Sequence, residues 1–180
     1  MKKAPLIVLG VTGSIAAYRA CELISLLKRE SFDVQVILTK EGAQFITALT
    51  LQTLSQNKVV TEIFDLPDEW NPLHTAIADR AALILIAPAT ANVIGKIACG
   101  ICDDMLTCVT FATDAPVLIA PAMNDKMYRH RIVQDNMAKL KKTGYHFIGP
   151  VKGRLACGHV DFGHIADSKE IIREARKLLK

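Results

Sequence analysis

Ala81-Ala82-Leu83-Ile84-Leu85-Ile86-Ala87-Pro88 is an unbroken apolar run closed by a proline. A half-exposed strand alternates apolar with polar side chains, whereas a strand of a parallel sheet covered on both faces is apolar at every position. The run therefore predicts a central parallel strand, and strand-then-helix patterns repeat on either side of it. Toward the amino terminus, residues 5–10 read as a short strand ending in glycine, and 13–29 carry Ile15, Tyr18, Ala20, Leu23, Ile24 and Leu27 at helical spacing. Residues 32–38 read as the next strand, Thr39-Lys40-Glu41-Gly42 as its turn and 43–49 as a short helix. Over 59–70 the pattern weakens, and Asp65, Pro67 and Asp68 mark an exposed connection into a helix carrying His74, Ile77 and Ala78. Toward the carboxyl terminus, Thr90 can cap a helix through Ile94 and Ile97, and Asp103 or Asp104 one through Met105 and Val109. Residues 116–120 read as a strand, 130–143 as a helix and 145–148 as the last strand. From Ser168 the chain closes in an amphipathic helix with Ile171, Ile172, Ala175 and Leu178 on one face. This alternation predicts an α/β fold: a doubly wound, Rossmann-like parallel sheet with helices on both faces and right-handed crossovers. Ligands of such sheets collect outside the carboxyl ends of the strands, so the loops beginning at Gly10, Thr39, Ala87 and Ala120 should converge on one crevice.

The 180 residues suit one compact domain over 1–180, with 51% hydrophobic and 22% charged residues. The apolar share is generous for a monomer and points to a buried interface between copies. A net charge of +4, with Lys and Arg at the two ends and between Lys126 and Lys142, forms no single basic stripe. Nucleic-acid binding is therefore not expected. The apolar start stops at a glycine turn too early for a signal peptide, and no run reaches the roughly 18 apolar residues of a membrane span. A cytoplasmic location without membrane attachment follows. Five cysteines (Cys21, Cys99, Cys102, Cys108, Cys157) are odd in number, sit mostly in apolar, helix-like surroundings and read as reduced. Cys99-X-X-Cys102 with Cys108 lacks the partners to complete four ligands, so small buried residues are expected there and no metal.

Several segments at the predicted crevice carry chemistry, each beside a plainer reading. Gly10-Val11-Thr12-Gly13-Ser14 opens the first helix where backbone amides and the helix dipole favour an anion such as phosphate, or is simply a glycine turn with a capping serine. Thr39 could bring another hydroxyl to the same place. Ala87-Pro88-Ala89-Thr90-Ala91-Asn92 has side chains small enough for a flat ligand to approach the backbone, or is a tight strand–helix junction capped by Thr90. His74 suits proton transfer, although a lone histidine is commonly structural. In Pro121-Ala122-Met123-Asn124, Asn124 can hold a carboxylate without adding positive charge, or cap a helix, and Met123 and Met127 line a pocket or fill the core. Gly153-Arg154-Leu155-Ala156-Cys157-Gly158 sets a thiol in a loop too rich in glycine for a core, although a buried filler is the usual reading of a cysteine.

Taken together, Gly10-Val11-Thr12-Gly13-Ser14-Ile15-Ala16, His74, the Pro121–Asn124 turn and the Cys157 loop make the chain resemble the flavin-dependent cysteine decarboxylases, from about residue 5 to about residue 167. The resemblance implies FMN as cofactor, in a three-layer α/β/α flavoprotein domain. It implies decarboxylation of phosphopantothenoylcysteine to phosphopantetheine in coenzyme A biosynthesis. It assigns the FMN phosphate to Gly13, Ser14 and Thr39, an aromatic neighbour of the ring to Phe45, and the cofactor wall to Pro88, Thr90, Ala91, Asn92, Asp104 and Thr107. His74, Asn124 and Cys157 become catalytic, and Met123, Asn124, Ala156 and Gly158 face the substrate. The implied course is two-electron oxidation of the cysteine moiety, loss of the carboxylate as an enethiol forms, and reduction with Cys157 helping to deliver a proton. Peptidyl-cysteine decarboxylases, flavin prenyltransferases and non-catalytic regulators that bind a phosphatase share the fold. The Cys157 loop speaks against the first two, and intact His74, Asn124 and Cys157 against the third. Tyr128 replaces a usual tryptophan, His159 a usual acidic residue after Ala-Cys-Gly, and His164-Ile165 a frequent Arg-Met, all on the substrate side. Family members are trimers or assemblies of trimers, which implies a homotrimer or dodecamer, and the cysteine-ligating activity often fused to this one is expected on another polypeptide.

Overall fold

The computed structural model describes residues 4–63 and 72–179. The connection expected around Asp65, Pro67 and Asp68 lies outside the described residues. Strands β1 (Leu6–Val11), β2 (Asp33–Leu38), β3 (Ala81–Ala89), β4 (Val117–Pro121) and β5 (His146–Phe147) form a five-stranded parallel sheet in the order β2-β1-β3-β4-β5. The order reverses between β1 and β3, whose registers align Leu9 with Leu85. That reversal is where a doubly wound sheet opens its crevice.

Alternation along the strands divides the interior in two. Ile7, Leu9 and Val11 of β1 and Leu83, Leu85 and Ala87 of β3 pack with helices α1 (Arg19–Arg29), α2 (Ala48–Ser55) and α8 (Ser168–Leu178). Leu6, Val8, Ile84 and Ile86 face the opposite layer of α3 (Leu73–Arg80), α4 (Ala91–Cys99), α5 (Met105–Ala112) and α7 (Arg131–Lys142). Leu83, Ile84, Leu85 and Ile86 are all 0% exposed, which explains the unbroken apolar run. Each such side chain contributes about 1.5–3 kcal/mol of burial.

Several elements differ from expectation. The helix expected over 43–49 is a 3-10 turn, Gly42–Gln44, and α2 begins only after Thr47, whose hydroxyl accepts from Thr50 N at 3.3 Å. Gly42 packs so tightly that a Cβ there would lie 2.7 Å from Val11 O, so this turn requires glycine. The first helix starts as a 3-10 turn, Ile15–Tyr18, which leaves Ile15 and Tyr18 60% and 56% exposed rather than in the core. His130 separates a short α6 (Asp125–Arg129) from α7 and caps α7 through Nδ1, which accepts from Ile132 N at 3.3 Å. The strand at 145–148 is not the last: β6 (Val151–Arg154) and β7 (Val160–His164) form an antiparallel hairpin outside the main sheet. The burial expected for Cys99, Cys102 and Cys108 is not found, because Cys99 and Cys102 are exposed and Cys108 half-buried, whereas Cys157 is exposed as its glycine-rich loop implies and Cys21 is half-buried, all as free thiols. Cys99 and Cys102 lie at and just beyond the end of α4, where the chain leaves the core.

Candidate functional site

The loops leaving β1, β2, β3 and β4 enclose, with the β6–β7 hairpin, a cleft of about 910 Å³. Thr12, at the end of β1 and 2% exposed, ties two of these loops together. Its hydroxyl donates to Pro88 O at 2.7 Å and accepts from Thr90 N at 3.1 Å. Thr12 was not singled out in the sequence, although a hydroxyl directly before Gly13 was the available signal. Gly13 is required by close approach, since a Cβ there would lie 2.4 Å from Glu41 Cβ. Ser14 Oγ accepts from Ala16 N at 3.3 Å, and Thr39 Oγ1 accepts from Gly42 N at 3.1 Å. With their oxygens engaged by their own turns, both hydroxyl hydrogens remain for a ligand in the cleft they line.

On the β3 side, Thr90 caps α4 by accepting from Val93 N at 3.3 Å, and Ala91 and Asn92 follow as cleft wall. Asp104 caps α5 in a reciprocal capping box with Thr107 and takes Lys96 Nζ on its other oxygen at 2.8 Å. Burial raises the Asp104 carboxyl, but the hydrogen bonds from Lys96 and Thr107 outweigh it and hold the group below the usual carboxylate range. Desolvation lowers the Lys96 ammonium, and its bonds to Asp103 and Asp104 outweigh that and raise it. Replacing Asp104 with Ala should destabilise the protein at pH 7 by about 1–2 kcal/mol, read as a lower urea midpoint at unchanged slope. Because the folded-state pKa is depressed, the stabilisation is present above the unfolded carboxyl's value. The gap between wild type and variant should therefore close as pH falls through the folded value, below about 4.

The β4 loop and the hairpin bring the two most distinctive sequence segments together. Met123 N donates to Gly163 O at 3.0 Å, and Gly163 (φ 140°) lies so close that a Cβ would be 2.2 Å from Met123 O. The hairpin thus seats directly on the Pro121–Asn124 turn, and its own turn carries Ala156, Cys157 and Gly158 to the cleft. Asn124 does cap α6, since Oδ1 accepts from Lys126 N at 3.0 Å and Met127 N at 3.4 Å. Its Nδ2 is turned instead toward Asp125 Oδ1, at 3.0 Å, and Cys157 Sγ, at 3.8 Å. The helix-cap reading of Asn124 therefore holds, through Oδ1, and it leaves the amide nitrogen at the cleft.

Gly13, Ser14, Thr39, Thr90, Ala91, Asn92, Asp104, Met123, Asn124, Ala156, Cys157 and Gly158 all line the cleft. Pro88 and Thr107 do not: Pro88 lies in buried β3 and Thr107, 0% exposed, sits behind Asp104. Phe45, 49% exposed, and half-buried His74 on α3 are also absent from this chain's cleft lining. Residues not foreseen there include Ile15, Tyr18 and Arg154, and Arg154 makes no ion pair among the described residues. Asp125 and His159 were likewise not anticipated as a pair. Asp125, 5% exposed, accepts or shares a hydrogen with His159 Nε2 at 3.0 Å. Desolvation raises its carboxyl, and the bond and charge of His159 outweigh this and keep it below the usual range.

Among the described residues, no helix is long and apolar enough to cross a membrane. The chain is 47% identical over 174 residues to the coenzyme A biosynthesis bifunctional protein CoaBC of Bacillus subtilis (strain 168), covering 95% of this chain but 42% of that protein. It thus spans about two fifths of the length of such bifunctional relatives. It is 43% identical to a probable phosphopantothenoylcysteine decarboxylase of Streptococcus mutans serotype c (strain ATCC 700610 / UA159), covering 96% of this chain and 98% of that one. Among solved structures, a cysteine-to-serine mutant of PPC decarboxylase complexed with pantothenoylaminoethenethiol superimposes with a TM-score of 0.86 at 32% identity, covering 97% of each chain. The FMN binding protein AtHal3 superimposes with a TM-score of 0.81 at 32% identity, covering 96% of this chain and 95% of that one. The flavoprotein family model matches residues 1–180, and by the fold, the cleft and this match the chain belongs to the flavoprotein family.

Proposed function

We propose that residues 1–180 form an FMN-binding domain that decarboxylates phosphopantothenoylcysteine to phosphopantetheine in coenzyme A biosynthesis. The observation that carries this reading is the seating of the Cys157 turn on the Pro121–Asn124 turn, with thiol and amide 3.8 Å apart at the cleft. The Streptococcus mutans relative, matched over nearly its whole length, supports the substrate, and AtHal3 supports FMN.

The residues present fit that cofactor. Gly13, Ser14 and Thr39 offer backbone amides and free hydroxyl hydrogens for a phosphate at the start of the first helix. Thr90, Ala91 and Asn92 present small side chains and backbone to a flat ring, with Pro88, Asp104 and Thr107 supporting that wall. When bound, FMN supplies the electron sink that a cysteine carboxylate lacks. The protein orients the substrate around it. Asn124 Oδ1 is committed to α6, so Nδ2 is the part that meets the substrate carboxylate. A neutral donor holds that group without the deep ground-state stabilisation a cation would give, and only interactions stronger in the transition state speed the step. Met123, Ala156 and Gly158 shape the substrate side, Arg154 offers the cleft a cation for the substrate's phosphate, and Cys157 delivers a proton to the product.

His74 and Phe45 lie off their own chain's cleft, and in this reading they serve the cleft of a neighbouring copy in a homotrimer or an assembly of trimers. Large apolar side chains exposed outside the cleft, Leu49 at 73% and Ile132 at 63%, support a covered face between copies. The three exposed thiols suit the reducing cytoplasm. The purified protein should be yellow with FMN and should convert phosphopantothenoylcysteine to phosphopantetheine, measured by mass spectrometry. A colourless preparation that takes up no FMN overturns the reading, as does a yellow one that forms no decarboxylated product.

A further inference from the structure

We propose that Cys157, His159 and Asp125 form a proton relay, in which His159 exchanges a proton with the Cys157 thiol while Asp125 fixes the imidazole. The relay deepens the decarboxylase reading, on which its role in turnover rests. Its geometry stands apart from that reading.

The two ring nitrogens of His159 face different partners: Nε2 meets Asp125 Oδ1 at 3.0 Å, and Nδ1 meets Cys157 Sγ at 3.5 Å. A buried carboxylate accepts hydrogen bonds, so Nε2 carries the hydrogen and Nδ1 presents a lone pair to the thiol. This is the orienting acid, base and nucleophile order of a triad, set on a hairpin turn. The turn makes the arrangement possible. Gly158 (φ 96°) donates its N–H to Leu155 O at 2.9 Å and folds the chain so that side chains 157 and 159 meet. The backbone of the turn is closed separately, by Leu155 N donating to His159 O at 2.9 Å, so the imidazole is not needed to hold it. Asn124 Nδ2 reaches both Asp125 Oδ1 and Cys157 Sγ, which closes the four side chains into a ring. The charged groups around His159 are Asp125 on α6, the Arg129–Asp161 ion pair between α6 and β7, and Arg154 on β6.

The proton balance is simple. The S–H bond of Cys157 breaks as a hydrogen bonds to Nδ1, leaving a thiolate beside an imidazolium whose positive charge faces Asp125. In turnover, once Cys157 has given its proton to the substrate, the resulting thiolate is reprotonated through His159, whose exposed ring takes a proton from solvent water on Nδ1 and passes it to Sγ. His159 acts through Cys157 and is therefore a positioning residue.

The test measures iodoacetamide alkylation of Cys157, resolved by peptide mass spectrometry, in FMN-loaded wild type, His159→Gln and Asp125→Asn. An ordinary thiol is only about 3% ionised at pH 7, so loss of the relay should slow alkylation at pH 7 about tenfold in His159→Gln. Asp125→Asn should slow it in the same direction by about threefold, since the imidazole stays but its charged form loses support. At pH 10, where thiols ionise without help, the three proteins should react alike within a factor of about two. Exposed Cys99 serves as the internal control for folding. Equal rates at pH 7, or a slowing that persists unchanged at pH 10, overturns the relay. Phosphopantetheine formation by the wild type is measured beside it. A pH 7 gap without turnover sinks the decarboxylase reading alone, and turnover without the gap sinks the relay alone.

Discussion

His74→Asn should lower carbon dioxide release from phosphopantothenoylcysteine by about two to four orders of magnitude, the usual worth of a positioned acid–base group. The substitution keeps a polar side chain that can donate and accept hydrogen bonds but removes the capacity to exchange a proton near neutral pH. His74 is the second residue of α3, half-buried and absent from its own cleft lining. In the proposed trimer-based reading, a loss of this size is delivered across a subunit boundary. That arrangement makes a second, sharper forecast. Mixing His74→Asn with Cys157→Ser and allowing subunits to exchange should restore part of the normal product, because some interfaces then pair an intact His74 with an intact Cys157. FMN content and oligomer mass should match the wild type in both variants. Turnover within about tenfold of wild type would remove His74 from the chemistry. A loss with no recovery on mixing would place its action within one chain.

What could be read from the sequence follows from which forces set each element. β3 was legible because burial on both faces leaves an apolar residue at every position, and Thr90 and Asp104 because capping is local side-chain chemistry. The β6–β7 hairpin was not, since Val151-Lys152-Gly153-Arg154 is short, partly exposed and held by its seat on Met123 through Gly163. The start of α2 slipped because Ala43-Gln44-Phe45-Ile46 carries no local mark of the 3-10 turn that precedes it, and the capping hydroxyl of Thr47 was the available signal. Ile15 and Tyr18 carry helical spacing yet line the cleft, so periodicity alone assigned them to the wrong surface. At the site, the meeting of Asn124 with Cys157 was foreshadowed only by resemblance, because the segments are 33 residues apart. The bond from Asp125 to His159 depends on side-chain direction at a glycine turn, and sequence spacing carries no trace of it.

Cys157→Ser should leave decarboxylation running and redirect the product to the oxidised enethiol, lacking the pair of hydrogens that separates it from phosphopantetheine. The hydroxyl is close in size to the thiol, so the cleft, the Asn124 contact and FMN binding should persist. What changes is acidity. A serine hydroxyl is a far weaker proton donor than a thiol, and the step that fails is the one that must place a proton on the product as its electrons return. In the proposed reading, carbon dioxide release precedes that step and depends on Asn124 Nδ2, which the substitution leaves in place. Mass spectrometry of a single-turnover mixture gives the product ratio, and the visible absorbance of the loaded protein should bleach on mixing and stay bleached. His159→Gln, by contrast, should slow formation of the normal product without switching it to the enethiol, because Cys157 retains a proton to give and loses only its resupply. A serine variant that makes phosphopantetheine at the wild-type rate would strip Cys157 of its part in proton delivery and leave the relay without a function in turnover.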